Sequence, residues 1–266
     1  MAQNWLGLEG RVVIVTGGAS GIGNHVVTTL RDAGALPVIV DVTVESGQEL
    51  DGAYCVKCDV TNAQSVQAMA DAVVAKYGKI DALVNVAGIN LPRLLVDVKG
   101  EHPEYELNDD SYDKMFDINV RGMFYCAQAC VRQMLKQGGG VIVNMSSESG
   151  KEGSQGQSAY SATNGARDSF TRSWAKELGP YNIRVVACAP GIMEPTGLRS
   201  PAYNAALAYT RGVKVEELST DYNKVIPLGR DGKLNEVGNL VAFLVSDRAG
   251  YITGTTINIS GGKSRG

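Results

Sequence analysis

The clearest chemistry in the sequence lies between Thr16 and Gly23, where Thr-Gly-Gly-Ala-Ser-Gly-Ile-Gly joins a short β-branched run to a helical pattern. A glycine-rich turn from strand into helix presents backbone N–H groups at the helix start, where they bind phosphate. Gly17 permits the sharp turn, Gly21 lets a pyrophosphate approach a backbone without Cβ, and Gly23 allows close packing of helix on strand. Ser20 and Ile22 belong to the same turn. Asp41 ends the second β-branched run, 18 residues beyond Gly23. A carboxylate there accepts hydrogen bonds from adenosine ribose hydroxyls and repels a 2′-phosphate. Neither Gly18 nor Val42 offers a compensating cation, so these residues point to NAD rather than NADP.

Such a turn needs a strand and a helix of a parallel sheet around it, and the flanking sequence supplies both. Arg11 to Thr16 is a β-branched run, and Leu36 to Asp41, Ala82 to Asn85, Val141 to Asn144, Arg184 to Ala189 and Thr256 to Ile259 repeat its form. Near-continuous Val and Ile marks strands covered on both faces. Between them, Ala63 to Tyr77, Ser111 to Lys136, Ser158 to Leu178 and Asn235 to Ser246 place apolar residues at helical spacing. The alternation predicts an α/β fold: one doubly wound parallel sheet with helices on both faces, in a single domain over residues 1–266. Two stretches stand outside it, Asn90 to Asp110 and Gly197 to Asn223. Both follow strands at the carboxyl edge, where such sheets bind ligands, so substrate selection is expected there.

Composition excludes other classes of function. The 266 residues are 44% hydrophobic and 20% charged, ordinary for a packed globular protein. A net charge of −3 without any run of Lys or Arg argues against nucleic acid as a partner. The start, MAQNWLGLEGR, lacks a basic segment followed by an apolar one, and no window approaches the roughly 18 apolar residues of a membrane helix, so a cytoplasmic protein is expected. Five Cys read as reduced thiols. Cys55 and Cys58 form a CxxC, but within a strand-like run and without a second pair; with His25 and His102 the only histidines, no metal site is expected.

The spacing of the glycines and the motifs after them resemble the short-chain dehydrogenase/reductase family over essentially the whole chain. Asp59-Val60 resembles the family's pair beside the adenine, and Asn85-Val86-Ala87-Gly88 resembles its NNAG, with the second Asn replaced. Asn119 stands where the family places a catalytic Asn, and Ser147 and Tyr160 keep the 13-residue separation of its catalytic Ser and Tyr. Pro190-Gly191 resembles the loop that holds the nicotinamide, with Ile192 as the backbone contact to the carboxamide; Thr196 comes one residue beyond the usual Thr. The resemblance implies a Rossmann-type dehydrogenase. In it, Tyr160 is general acid/base, Ser147 steadies the substrate oxygen, Asn119 holds a water of the proton relay, and hydride passes between substrate carbon and NAD. It also implies a homotetramer paired through the helical stretches 111–136 and 158–178.

One position departs from the family. Its YxxxK reads Tyr160-Ser161-Ala162-Thr163-Asn164 here, so Asn164 stands where the catalytic Lys belongs. Positions i and i+4 share a helix face, and the missing ammonium would sit against Tyr160 and the nicotinamide ribose. A phenol ordinarily titrates near 10, and nearby positive charge brings it toward working pH. Asn164 can hydrogen-bond the ribose but carries no charge. The next basic residue, Arg167, is seven residues on and nearly two turns away, so no compensation is expected from this helix and slow turnover is expected from the chain.

A closer similarity covers NLPRLLVD, SSESG, EGSQGQSAY, SFTRSWAKELG, the stretch from PGI to TGLRSP, and ISGGKSRG. It resembles those family members that interconvert sorbitol 6-phosphate and fructose 6-phosphate. Glu148, Glu152 and Gln155 suit substrate hydroxyls, while Arg93, Lys151, Arg199 and Arg211 suit a phosphate. Arg93 and Arg199 are favoured because each lies in a long connection. Two other functions stay open: a dehydrogenase of an unphosphorylated polyol or sugar, and a catalytically silent NAD-binding protein.

Overall fold

The structure, a computed structural model, describes residues 5–197, 199–218 and 224–264. Strand β1 (Val12–Thr16) passes through the glycine turn into α1 (Gly21–Asp32), followed by β2 (Leu36–Asp41), the short β3 (Glu49–Leu50) and β4 (Ala53–Lys57). Helix α2 (Ala63–Tyr77) leads to β5 (Ala82–Asn85). A long connection then reaches α3 (Asp109–Phe116), α4 (Gly122–Gln137) and β6 (Gly140–Met145). After these come α5 (Ser149–Glu152), the long α6 (Ser158–Leu178), β7 (Ile183–Pro190), α7 (Pro201–Arg211), α8 (Leu234–Val245) and β8 (Thr256–Ile259). Among the described residues the strands form one sheet in the order β3-β4-β2-β1-β5-β6-β7-β8, parallel except where β3 pairs with β4.

The sheet is covered on both faces, which is why its strands lack polar alternation. In β1, Val13 and Val15 pack toward α1 and α8, while Val12 and Ile14 pack toward α2 and α4. All five cysteines are free thiols buried within these layers. Burial pushes the thiols of Cys130 and Cys188 up to about 12. Among the described residues no helix is long and apolar enough to cross a membrane. The winding of successive strands reverses about β1, which pairs with β2 on one side and β5 on the other, and this opens a crevice above their carboxyl ends.

Two segments differ from the sequence expectation. The helical stretch 111–136 is broken by a π turn at Asp117–Arg121, between α3 and α4. A wider turn inserts one residue and redirects the side chains after it; here it lets the Asn119 side chain bracket the backbone of Ile89. The connection 197–223 contains α7, because Ser200 caps it by accepting from the Tyr203 N–H at 3.2 Å and Pro201 occupies the first helical position. Residues 198 and 219–223 of that connection lie outside the described residues. The connection 90–110 holds a single 3-10 turn at Pro103–Tyr105 and is fastened to α7 where the Tyr209 hydroxyl donates to Asp97 at 2.6 Å.

The tightest approach in the glycine turn is at Gly23, where an added Cβ would stand 2.0 Å from the Gly17 carbonyl oxygen. Gly23→Ala should therefore lower stability by about 1–3 kcal/mol, the usual cost of overpacking. Urea unfolding checks it: the midpoint should fall at unchanged slope, whereas an unchanged midpoint would show that the turn opens freely.

Candidate active site

A cleft of about 740 Å³ lies over the carboxyl ends of β1, β5 and β6. One end is formed by the glycine turn, with Ser20, Gly21, Ile22 and Gly23 at its surface. Gly17 and Gly21 take φ of +67° and +52°, values that favour glycine. Ser20 sits at the N-cap of α1 in extended conformation and its side chain makes no capping bond, so the first N–H groups of the helix are left for an anion. Beside the turn, Asp41 accepts from the Ala19 N–H at 3.3 Å and from the N–H and hydroxyl of Thr43 at 3.1 and 2.9 Å. Asp59 and Val60 continue this wall. Anion-binding N–H groups next to a carboxylate, with no Cβ filling the turn, fit a pyrophosphate and its ribose.

The floor is made by the exit of β5. The Thr16 hydroxyl oxygen accepts from the N–H groups of Val86 and Ala87 at 3.1 and 3.2 Å, and Ala87 and Gly88 reach the cleft surface. Asn85 lies beneath them, donating to Asn144 at 3.0 Å; Asn144 in turn donates to Thr171 of α6 at 2.9 Å. Asn119 is also buried. Its side chain accepts from the Ile89 N–H at 2.8 Å and donates to the Ile89 carbonyl at 2.9 Å and to the Thr163 hydroxyl at 3.1 Å.

Ser147 and Tyr160 both face the cleft, one after β6 and the other in the first turn of α6. Ser147 Oγ accepts from the Ser149 N–H at 3.3 Å. Asn164 is buried below them, its amide donating to the carbonyl of Tyr160 at 2.9 Å while Oδ1 has no protein partner among the described residues. The basic residue of α6 that does reach the cleft is Arg167. Its guanidinium donates to the carbonyls of Asn119 and Ala87 at 2.7 Å each and to that of Met145. Burial pulls this guanidinium down to about 10, so it is cationic at neutral pH.

The opposite wall carries Pro190, Gly191, Met193 and Thr196. The Ile192 carbonyl accepts from the Gly232 N–H at 3.0 Å, and Met193 rather than Ile192 presents its side chain to the cleft. Thr196, despite its shifted position, stands across from the glycine turn, its methyl 3.7 Å from where a Cβ on Gly21 would be.

The residues expected at the substrate divide. Arg199 lines the mouth of the cleft and is exposed. Arg93 is half-buried outside the lining; it donates to the Pro92 carbonyl at 2.8 Å and lies 6.0 Å from the centre of the Tyr105 ring. Glu148 and Glu152, expected to meet substrate hydroxyls, turn instead to Lys263, at 2.6 and 3.9 Å. The ammonium near the end of the chain claims them, because Ser260 packs directly beneath Gly191 and brings the C-terminal segment under this wall. Gln155 donates to the Thr210 carbonyl at 3.2 Å and Arg211 lies 3.5 Å from the Ser154 hydroxyl, so both serve the seating of α7. Tyr203 was missed by the sequence reading. It lines the cleft, accepts from Asn90 and Gln157 at 3.1 Å each, and burial pushes its phenol up. The Ser200-Pro201 helix start was the signal that could have located it.

Comparison with known proteins agrees with this geometry. A family model described as Enoyl-(Acyl carrier protein) reductase matches residues 17–264. The chain is 53% identical over 266 residues to the sorbitol-6-phosphate 2-dehydrogenase of Klebsiella pneumoniae, covering 99% of this chain and 100% of the relative. It is 37% identical over 268 residues to the 3-oxoacyl-(acyl-carrier-protein) reductase FabG of Thermotoga maritima, covering 96% and 98%. Among solved structures, the ligand-free aldohexose dehydrogenase of Thermoplasma acidophilum superposes with a TM-score of 0.81 at 29% identity, covering 97% and 95% of the two chains. The 3-ketoacyl-(acyl-carrier-protein) reductase of Brucella melitensis complexed with NADH gives 0.79 at 30% identity, covering 97% and 99%. Likeness that runs from the glycine turn to the C-terminal segment makes this chain a member of the short-chain dehydrogenase/reductase family of oxidoreductases.

Proposed function

We propose that this chain is an NAD-dependent dehydrogenase that interconverts sorbitol 6-phosphate and fructose 6-phosphate. The observation that carries the reading is the 53% identity, over nearly all of both chains, to the protein named as sorbitol-6-phosphate 2-dehydrogenase. In this reading the start of α1 holds the pyrophosphate, Asp41 the adenosine ribose, and Asp59 and Val60 the adenine. Pro190, Gly191 and the Ile192 backbone bound the nicotinamide. Bound NAD supplies the acceptor for a hydride leaving the alcohol carbon. Tyr160 takes the hydroxyl proton of the alcohol, and in the reverse direction returns it to the ketone oxygen. Ser147 donates a hydrogen bond to that same oxygen as charge grows on it. Asn119, fixed on Ile89 and Thr163, holds the α6 turn that bears Tyr160. Arg199 at the mouth suits the phosphate, and Tyr203 in the wall suits a hydroxyl.

Asp41 sets the first expectation: NAD should bind at least about tenfold, or about 1.4 kcal/mol, more tightly than NADP. Calorimetric titration with both cofactors checks it, and Asp41→Ala should narrow the gap; equal affinities for the unaltered chain would remove the NAD assignment.

Sorbitol 6-phosphate should be oxidised with a far higher kcat/KM than free sorbitol, and Arg199→Ala should raise KM for the phosphorylated substrate by about tenfold while leaving NAD affinity alone, as loss of one charge-assisted contact does. Equal use of the two polyols would favour an unphosphorylated substrate. An unchanged KM would assign the phosphate to another residue.

A homotetramer paired through α4 and α6 completes the proposal. Sedimentation should give a species near four times 28.2 kDa, and a lone 28.2 kDa species would contradict it.

A further inference from the structure

We infer that Arg167 supplies, from beneath the cleft floor, the positive charge that favours the phenolate of Tyr160, in place of the ammonium that Asn164 does not provide. The inference rests on Tyr160 being the acid/base of the proposed reaction.

Seven residues of helix separate the two positions, but they lie on one face of α6, and helical side chains lean toward the N-terminus. The contacts of Arg167 show this return. Its guanidinium reaches the carbonyls of Ala87 and Met145, at the exits of β5 and β6, and a Cβ on Gly88 would stand 3.2 Å from Nη2. The charge therefore lies directly under the floor on which Tyr160 and Ser147 open. Among the described residues three cations line the cleft. Lys114 and Arg199 are exposed, and water screens them; Arg167 is 4% exposed.

A buried charge held by carbonyl dipoles is fixed in position and screened less than one in water, although the carbonyl oxygens offset part of its field. Among the described residues no carboxylate is hydrogen-bonded to Arg167. The adjacent acid, Asp168, accepts from the Thr256 hydroxyl at 2.9 Å. Burial disfavours the cationic form of Arg167, and an ionised Tyr160 is the first of the charges that act against this. Among the described residues, the other charged or titratable groups lining the cleft are Lys114 on α3, Asp117 of the π turn, which pairs with Arg121 at 2.8 Å, Tyr203 on α7, Arg199 before it, and Asp41, Cys58, Asp59 and Glu194.

The test uses the full chain with NAD. Tyrosinate formation is followed by ultraviolet difference titration against Tyr160→Phe, and oxidation is followed across pH. Arg167→Gln keeps two N–H donors for the three carbonyls and removes the charge. It should move the tyrosinate midpoint and the pH of half-maximal oxidation upward by about one unit or more, and lower kcat at neutral pH about tenfold to a hundredfold. Arg167→Lys should hold both midpoints near their original values, even if it unfolds at lower temperature. Asn164→Lys/Arg167→Leu, with the charge moved back along the same face, should restore them and keeps the question answerable if Arg167→Gln does not fold. Unchanged midpoints in Arg167→Gln, or no restoration in the double variant, would overturn the inference and leave Arg167 a purely structural clamp. A chain that oxidises no hexitol phosphate would defeat the functional reading, while the ultraviolet titration still decides the role of Arg167.

Discussion

Strands that stop at the carboxyl edge of a parallel sheet leave carbonyl groups that water cannot reach, and each must find a donor. Here one guanidinium meets three of them, from the exit of β5, the π turn and the exit of β6. A layer deeper, Asn85, Asn144 and Thr171 form a ladder whose last hydroxyl donates to the carbonyl of Arg167 itself at 2.8 Å. The inner face of α6 is accordingly polar: Thr163, Asn164, Arg167, Asp168 and Thr171 are all buried. Directional bonds, more than apolar packing, fix the height and rotation of this helix against the sheet.

The placement of the groups assigned to the proposed reaction follows from that lock. Tyr160 rides on α6, while Ser147 follows Met145, whose carbonyl is held by the same guanidinium. The two hydroxyls that share one substrate oxygen in the proposed reaction are thus referred to a common anchor, and their separation does not depend on a surface loop. The far wall is secured from the other end of the chain. Lys263 holds Glu148, and Ser260 supports Gly191, so the segment proposed to bound the nicotinamide rests on β8 and its continuation.

Period and composition carried most of the scaffold. The runs Leu36 to Asp41, Ala82 to Asn85 and Thr256 to Ile259, and the helices Ala63 to Tyr77 and Ser158 to Leu178, are found with the bounds their patterns mark. What the sequence concealed depends on contacts between distant segments. The π turn serves the grip of Asn119 on Ile89, 30 residues earlier. Glu148 and Glu152 looked available because nothing local shows that Lys263 comes to lie beside them. Arg167 looked remote because spacing along a helix gives the position of a Cα and not the reach of a long side chain. Tyr203 was hidden by a missed helix, although the Ser-Pro start of that helix was legible.

The five thiols in the layers of the sheet have a consequence of a different kind. Thiolate is the form that reacts with alkylating reagents, and burial suppresses both its formation and its access to them. Alkylation must therefore wait for the sheet to come apart. Cys55 lies on β4 and Cys58 just beyond it toward one edge, Cys126 and Cys130 on the buried side of α4, and Cys188 on β7 toward the other edge. Their separate alkylation rates would show which part of the molecule opens first and whether the sheet parts as one cooperative unit.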